Sequence, residues 1–314
     1  MPRGEFSLID HLVKRRPKRD KLYRPCLVGP GDDAALLQGL ARPVITTDTQ
    51  REDVHFRRDW QTPFEIGFRA VQVCLSDLAA SFAKPVALFV NLAVPKGTPD
   101  SFLEEIYDGM ASALEPLGCD LGGGNTSRSD ELALDLFAIG EAMGEMPQRA
   151  HAEAGEILCT TGPLGHARAG LFCLSHGLDG FPDMVKAFKY PAARFDAAET
   201  LFSKGVRCAM DLSDGLAGDA MHMAKASGVT LDLNLAELPL SEVFSDWCKK
   251  TGKDPISTMA SGGEEYQLLF TCKETILEAI EEELPGVVAL GHVGPYDGMY
   301  VRGLPEESSS YQHI

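Results

Sequence analysis

Apolar strands that alternate with amphipathic helices predict an α/β (α+β) protein of two domains. The 314 residues suffice for two domains of roughly 150 residues each. Hydrophobic residues make up 44% of the chain and charged residues 24%, the balance of a globular protein with a substantial core. The turn-rich segment 143–155 separates two similar runs of elements. We therefore expect one domain over 1–145 and a second over 146–314.

In the first half, alternating apolar residues predict strands and a 3.6-residue period predicts helices. The strands are expected over 44–48, 86–94, 119–121 and 132–140, and the helices over 6–13, 64–82 and 102–117. In the helix over 64–82, Asp77 falls on the same face as Ile66, Ala70 and Val73. A buried acid seldom lies unpaired on an apolar stripe, so Asp77 implies a metal or a capping partner.

The second half repeats this pattern of strands and helices. Strands are expected over 157–161, 208–212, 229–233, 266–271 and 287–291, and helices over 167–174, 191–204, 216–226, 242–251 and 276–284. The strand over 208–212 is followed directly by a helix, and Asp211 and Asp214 lie at this junction. The two acids are therefore placed at a strand end and a helix start.

The charge and hydropathy of the chain exclude some partners. A net charge of −17 and a pI near 4.9 argue against binding to nucleic acid or an anionic membrane, both of which require a basic face. The basic run over 14–24 is either a solvated helix end and loop or an anion site. The longest apolar run, over 86–94, is too short to span a bilayer, and no signal-peptide segment precedes it.

Cysteine usage indicates the compartment. The eight cysteines are scattered singly, and none forms a C-x-x-C pair. Buried thiols in a reducing compartment explain this pattern better than disulfides or zinc ligands do. We therefore expect a cytoplasmic protein.

Adjacent carboxylates at Asp32 and Asp33 follow a Gly-Pro-Gly turn and run into an apolar segment. Half-buried carboxylates need cations or hydrogen-bond donors. The alternative is an exposed turn whose aspartates cap the next element. Further acids lie at strand ends, helix starts and turns, namely Asp48, Asp77, Asp211, Asp214, Glu264 and Glu265. Because no His or Cys cluster accompanies these oxygens, the set suits a hard cation such as Mg²⁺ rather than zinc.

A glycine-rich loop is predicted over 122–128. Its amides could hold a phosphate with Arg128 as a guanidinium donor, although a glycine triplet alone is also typical of an ordinary turn. The chain has neither a P-loop nor an EF-hand sequence. Any nucleotide is therefore held in another way.

Several motifs occur together in a fixed order. They are GEFSLI at 4–9, GDDAALL at 31–37, TTD…VHF at 46–56, SDLAA at 76–80, GGNTSR at 123–128, DLSDGL at 211–216 and SGGEEYQLLF at 261–270. In this order the chain resembles the thiamine-monophosphate kinase family. That family belongs to the ATP-binding superfamily of aminoimidazole-ribonucleotide synthetase and selenophosphate synthetase. The resemblance implies a two-domain aminoimidazole-ribonucleotide-synthetase-like fold whose N-terminal domain binds ATP and Mg²⁺ and pairs through its sheet into a homodimer.

The resemblance also implies a role for individual residues. Several Mg²⁺ ions would be held by Asp33, Thr46, Thr47, Asp48, Asp77, Asn125, Asp211 and Asp214. ATP would contact Tyr107, Gly124, Asn125, Arg149 and Ser213. Thiamine monophosphate would contact His55, one of Glu264 and Glu265, and the tail aromatic Tyr311.

Some of these positions have a competing explanation. The family usually has an aspartate where this chain has Asn125, so one metal loses an anionic ligand. The family usually ends in an aromatic residue, whereas Tyr311 is followed here by three further residues. Tyr107 lies on the apolar face of its helix and His55 can be a structural histidine, so either residue can serve packing instead of ligand binding.

The expected activity is ATP-dependent phosphorylation of thiamine monophosphate to thiamine diphosphate by direct in-line transfer. The acceptor is a phosphate with a second pKa near 6, so it is mostly ionised at pH 7 and needs no general base. One alternative is another ATP-using activity of the superfamily; a selenophosphate synthetase would require a reactive cysteine, for which Cys26 is the nearest candidate. A second alternative is a non-catalytic protein that binds nucleotide or thiamine phosphate.

Overall fold

A computed structural model describes residues 11–12, 14–15, 26–29 and 33–306. The chain divides into two compact units. The first comprises Met1–Leu78 and Ala83–Ala142, and the second comprises Ala79–Phe82 and Met143–Ile314. The sequence pattern predicted a boundary after residue 145, a few residues beyond Ala142.

The first unit contains a two-stranded and a four-stranded sheet. Its elements are β1 (Cys26–Val28), β2 (Leu36–Leu37), β3 (Pro43–Arg51), α1 (Pro63–Ala80), β4 (Ala83–Pro95), α2 (Asp100–Leu114), β5 (Asp120–Ser129) and β6 (Ala133–Ala142). The larger sheet has the order β3-β6-β4-β5, so β3 and β5 are its edges. β4 and β5 run parallel, whereas β6 is antiparallel to both β3 and β4.

The two faces of this sheet differ. Leu88, Val90 and Leu136 alternate inward along their strands and are buried. On the opposite face, Ile45 is 67% exposed and Phe137 is 40% exposed. The sheet therefore presents apolar side chains that no element among the described residues covers.

Glycines allow α1 and α2 to cross at very short range. A Cβ atom at Gly67 would lie 2.0 Å from the carbonyl oxygen of Ile106, and one at Gly109 would lie 2.0 Å from that of Phe64. At each of these glycines, the backbone of the other helix occupies the space that a side chain would fill. This contact sets the position of α1, which carries Asp77.

The prediction of a glycine-rich loop over 122–128 is wrong, because these residues form most of strand β5. β5 pairs with β4 along its length, with Gly124 opposite Val90. Gly124 has φ +152°, and a Cβ there would lie 1.8 Å from the Val90 carbonyl oxygen. The glycines permit close strand pairing, which a pattern of side chains does not reveal.

The second unit is built on a six-stranded sheet. Its strands are β7 (Ile157–Thr160), β8 (Cys208–Asp211), β9 (Val229–Leu233), β10 (Leu268–Cys272), β11 (Val288–Pro295) and β12 (Val301–Arg302). The order is β12-β9-β11-β7-β10-β8, and only the pair of β12 and β9 is parallel.

Helices cover both faces of this sheet. They are α3 (His166–His176), α4 (Pro182–Lys189), α5 (Phe195–Ser203), α6 (Leu216–Ser227), α7 (Glu242–Thr251), α8 (Pro255–Ser261) and α9 (Glu274–Glu283). On β7, Leu158 faces a core that includes Met223 of α6, and the next residue, Cys159, faces a core that includes Leu201 of α5. The second unit is therefore a layered α/β structure.

Most predicted elements are present with shifted ends. The predictions over 229–233 and 242–251 match β9 and α7. Helices α4 and α8 were missed because each spans only about two turns between glycine- and proline-rich residues. The helix predicted over 6–13 falls mostly outside the described residues. In the described part of the chain, no helix is both long and apolar enough to cross a membrane.

The contact between α1 and α2 leads to a stability prediction. Gly67→Ala should lower the free energy of unfolding by about 2 kcal/mol, because the added methyl group meets a backbone carbonyl. The gain in helix propensity, about 1 kcal/mol, is too small to offset this clash. Urea denaturation measures the change.

Ser112→Ala provides the control, since Ser112 is exposed on α2 and the substitution adds no contact. Equal or greater stability of the Gly67→Ala protein would show that the two helices can separate at little cost.

Candidate active site

Strand β3 and helix α1 place three oxygen-bearing side chains together. Thr46 and Asp48 lie on the same side of β3, because strand side chains alternate. Thr46 Oγ1 donates a hydrogen bond of 2.5 Å to Asp77 Oδ2, in the last turn of α1. We call Thr46, Asp48 and Asp77 the N-terminal acid cluster.

Burial dominates the electrostatics of this cluster. Burial, and less strongly the charge of Asp77, raise the pKa of Asp48 from 3.8 to about 6. The N–H of Thr49 donates to Asp48 Oδ1 at 2.6 Å and opposes this shift, as does the charge of Arg69. Arg69 is buried in α1 and donates to Gln50 Oε1 at 2.7 Å. The cluster therefore retains excess negative charge, and the sequence pattern had not identified Arg69 as a nearby cation.

A second group of carboxylates lies in the other unit, where β8 ends and α6 begins. Asp211 is the last residue of β8, Asp214 lies in the following turn, and Asp219 lies in α6. Asp219 Oδ2 accepts a hydrogen bond of 3.3 Å from the N–H of Asp214. We call Asp211, Asp214 and Asp219 the C-terminal acid cluster.

The sequence pattern did not identify Asp219 as a member of this cluster. It is 2% exposed, and burial followed by the charges of Asp211 and Asp214 raises its pKa to about 7. The Arg149 guanidinium opposes this rise, so it lies near enough to interact with the cluster. The available signal was periodicity, because Asp219 shares the inward face of α6 with Leu216 and Met223.

Two loops interlock beside the C-terminal acid cluster. We call residues 211–215 the aspartate loop and residues 261–267 the glutamate loop. The N–H of Glu264 donates to the Ser213 carbonyl at 2.7 Å, and the N–H of Tyr266 donates to the Leu212 carbonyl at 2.9 Å. The half-buried Glu264 is therefore held next to the loop that carries Asp214.

The adjacent glutamates have different surroundings. Glu265 is 8% exposed, and its Oε1 accepts hydrogen bonds from the N–H groups of Gly165 at 2.9 Å and Ala167 at 3.2 Å. Burial nevertheless raises the pKa of Glu265 to about 8. Its carboxyl group is thus engaged by the N-terminal end of α3.

The structure places Asn125 far from the N-terminal acid cluster within one chain. Asn125 lies on the edge strand β5, in the same row as Asn91, Asp135 and Thr49. Three strand spacings separate β5 from β3, or roughly 14 Å. Asn125 is exposed, and its Oδ1 accepts from the N–H of Thr126 at 2.9 Å.

Other predicted residues lie apart from the acid clusters or outside the described residues. Thr47 points to the opposite face of β3 from Asp48, and Asp33 is exposed at a bend. Tyr107 is buried, which raises its pKa to about 12. His55 accepts from the N–H of Arg51 through Nδ1 at 3.1 Å, so the neutral ring carries its proton on Nε2. Tyr311 lies outside the described residues.

The acid clusters fit a hard cation that brings other ligands with it. Among the residues that the structure describes, no three His, Cys, Asp or Glu side chains are arranged to hold a metal ion. Protein-bound Mg²⁺ commonly takes one or two carboxylates and completes its shell with water and substrate phosphates. Neighbouring carboxylates with raised pKa values, such as Asp48 near Asp77, match this incomplete kind of site.

The raised pKa of Asp48 leads to a test in metal-free protein. A raised pKa means that ionisation destabilises the folded state, so this cost grows from about pH 4 to about pH 6 and then persists. Asp48→Asn removes the cost and should raise stability by at most about 3 kcal/mol at pH 7.5, with little difference near pH 3.5. Thermal unfolding in a chelator measures this.

The exposed Asp130 supplies the control substitution, Asp130→Asn, which should show no comparable pH-dependent gain. A loss of stability in Asp48→Asn at pH 7.5 would mean that the ionised carboxylate is held by favourable contacts.

Comparison with known proteins identifies the family to which the chain belongs. A model of the AIR synthase related protein, N-terminal domain, matches residues 31–142. The thiamine-monophosphate kinase of Aquifex aeolicus is 32% identical over 316 aligned residues, which cover 99% of this chain and 98% of that protein. That of Mycobacterium tuberculosis H37Rv is 33% identical over 85% of this chain and 80% of that protein.

Solved structures agree with this relationship. The thiamine-monophosphate kinase from Stenotrophomonas maltophilia has a TM-score of 0.82 at 29% identity, with 97% of this chain and 98% of that chain covered. AaThiL complexed with AMPPCP and TMP has a TM-score of 0.79 at 32% identity, with 99% and 97% covered. E. coli HypE, at 20% identity and a TM-score of 0.77 over 98% of each chain, shares the fold. The aminoimidazole-ribonucleotide-synthetase-like fold is confirmed, and the chain belongs to the thiamine-monophosphate kinase family.

Proposed function

We propose that the protein transfers a phosphoryl group from ATP to thiamine monophosphate and so produces thiamine diphosphate. The observation that carries this proposal is the likeness to thiamine-monophosphate kinases over 99% of the chain. A similar protein, AaThiL, has been solved with AMPPCP and TMP, which supports ATP and thiamine monophosphate as the two substrates. The clustered carboxylates supply the oxygen ligands that a kinase uses for Mg²⁺.

Magnesium would be held by side chains that carry carboxylate, hydroxyl or amide oxygens. The proposed ligands are Asp33, Thr46, Thr47, Asp48, Asp77, Asn125, Asp211 and Asp214. When bound, Mg²⁺ neutralises charge on the phosphate oxygens during transfer. Asp219, buried against Asp211 and Asp214, would keep the turn that carries Asp214 in place through its backbone hydrogen bond.

The chain's own groups have a limited task in this reaction. The acceptor is already an ionised phosphate at neutral pH, so no side chain must remove a proton. The protein must bind and align two polyanions and reduce their repulsion. Arg149, exposed near the C-terminal acid cluster, and Ser213 in the aspartate loop are the proposed ATP contacts of the second unit. Gly124, Asn125 and Tyr107 are those of the first unit.

Glu264 is the better candidate of the two glutamates for contact with thiamine monophosphate. Its side chain is half-buried beside the aspartate loop, whereas the Glu265 carboxyl group is buried against α3. A carboxylate at this place suits the positive thiazolium ring of the substrate. His55 and Tyr311 are the other proposed substrate contacts.

We also propose a homodimer formed through the N-terminal sheets. The sheet face that carries Ile45 and Phe137 is apolar and exposed. The edge position of β5 supports the same assembly, because Asn125 is roughly 14 Å from β3 in its own chain. A second copy whose β5 approaches β3 would bring Asn125 close to β3 of the other chain. We place the reaction in the cytoplasm, since the eight cysteines, all within the described residues, are buried and form no disulfide, as in proteins of reducing compartments.

The activity is tested directly. With Mg²⁺ and ATP, the protein should convert thiamine monophosphate to thiamine diphosphate and ADP. Asp214→Asn should lower kcat on the order of 100-fold, because it removes a charge that acts on the transferred group. Chromatography of both products gives the rates.

Asp246→Asn, on the exposed side of α7, should keep the wild-type rate. Folded protein that binds ATP but forms neither product would instead identify a binding protein.

Assembly is tested by mass. Light scattering should give twice the chain mass of 33.9 kDa. Ile45→Lys should yield monomers of low activity, because it places a charge on the apolar sheet face. Val243→Lys, at an exposed apolar position on α7, should leave the mass unchanged. A fully active wild-type monomer would contradict the proposed dimer.

A further inference from the structure

The side chain of Glu265 lies at the N-terminal end of α3. Glu265 itself belongs to the glutamate loop, which is far along the chain from that helix. Its Oε1 atom accepts from the N–H groups of Gly165 and Ala167, which helix geometry leaves without partners inside the helix. The N–H of Arg168 also interacts with this carboxyl group. The contact therefore ties the glutamate loop to a helix about 100 residues earlier.

The glutamate loop has a strained backbone on both sides of this anchor. Glu264 has φ 66° and Tyr266 has φ 50°, in the left-handed region that side chains other than glycine seldom adopt. Such conformations persist only where surrounding contacts hold them. The flanking N–H groups of Glu264 and Tyr266 bond to the aspartate loop, and the side chain of the residue between them bonds to α3.

The packing leaves the glutamate loop little room to move. A Cβ at Gly263 would lie 2.8 Å from the Ser213 carbonyl oxygen, and one at Gly262 would lie 2.8 Å from the Thr258 carbonyl oxygen. The aspartate loop has additional support, since Asp211 pairs with Leu268 and the N–H of Leu212 donates to the Gln267 carbonyl at 2.9 Å. Loss of the Glu265 anchor would therefore free Glu264 before it disturbs Asp211.

We propose that Glu265 is a positioning residue that orients Glu264 toward thiamine monophosphate by accepting hydrogen bonds from the first turn of α3. This inference rests on the proposed function, within which it gives the two adjacent glutamates separate roles. The required property is an acceptor oxygen at the end of a side chain of this length. A negative charge is not required, because a neutral carbonyl oxygen accepts the same two bonds.

Three variants separate these roles. Glu265→Gln keeps the acceptor oxygen and should stay within about threefold of the wild-type KM for thiamine monophosphate. Glu265→Leu fills the space without an acceptor and should raise this KM on the order of tenfold or more. The Kd for ATP should stay within about twofold in both, since β8 and β10 hold the aspartate loop. Glu264→Gln should raise the KM although Glu265 is intact.

Hydrogen exchange gives a readout that does not depend on catalysis. In Glu265→Leu, the amides of Glu264, Tyr266, Gly165 and Ala167 should exchange on the order of tenfold faster than in the wild type. In Glu265→Gln they should keep their protection. This pattern supports the anchor even if thiamine monophosphate is not the substrate, so failure of the proposed function is distinguishable.

Two results would overturn the proposal. Unchanged KM and unchanged exchange in Glu265→Leu would show that the anchor does not position Glu264. A KM raised at least tenfold in Glu265→Gln, with normal exchange, would show that the charge of Glu265 acts on the substrate. If Glu265→Leu does not fold, Glu265→Gln decides the matter by the same two measurements.

Discussion

The burial of carboxylates next to one another is the constraint on which the acid clusters of both units depend. Asp48 lies near Asp77 in one unit, and Asp219 lies near Asp211 and Asp214 in the other. A structural ion pair would lower the pKa of its acid, whereas these environments raise it. The nearby cations, Arg69 and Arg149, oppose the shifts without reversing them. Such residual charge is typical of sites that receive a cation or a charged ligand.

The fold keeps these acids in place through close backbone contacts. Gly67 and Gly109 let α1 and α2 approach within the space of a side chain. Hydrogen bonds join the aspartate and glutamate loops. Glycine in the glutamate loop lets the two backbones pack closely, because a side chain there would meet the aspartate loop. Phosphoryl transfer depends on alignment and on preorganised charge, so a rigid support of this kind serves the chemistry.

The proposed homodimer would give the outer face of the first sheet a partner. Its outer face combines exposed apolar residues with a polar row that ends at Asn125. Residues on the two edge strands cannot act on the same ion within one chain, because two further strands lie between them. Pairing of two sheets would cover the apolar face and join opposite edges, so stability and ligand binding would favour the same assembly.

Periodicity and residue chemistry in the sequence predicted much of this protein. The apolar patterns located strands such as β4 and β9 and helices such as α1 and α7, since burial on one face leaves a regular spacing. Acids without His or Cys neighbours indicated a hard cation, and the order of the motifs indicated the family. These properties are local or depend only on residue order.

The tertiary structure decided what depends on contacts between distant residues. The glycines before Asn125 form a strand because Val90 of β4 lies against them, which no local pattern reveals. Asp219 joins the acid cluster only because α6 turns it back toward Asp214. Glu264 and Glu265 are identical in chemistry and adjacent in sequence. They differ only because α3 approaches the glutamate loop. The first turn of α3 binds the carboxyl group of Glu265, whereas Glu264 stays beside the aspartate loop.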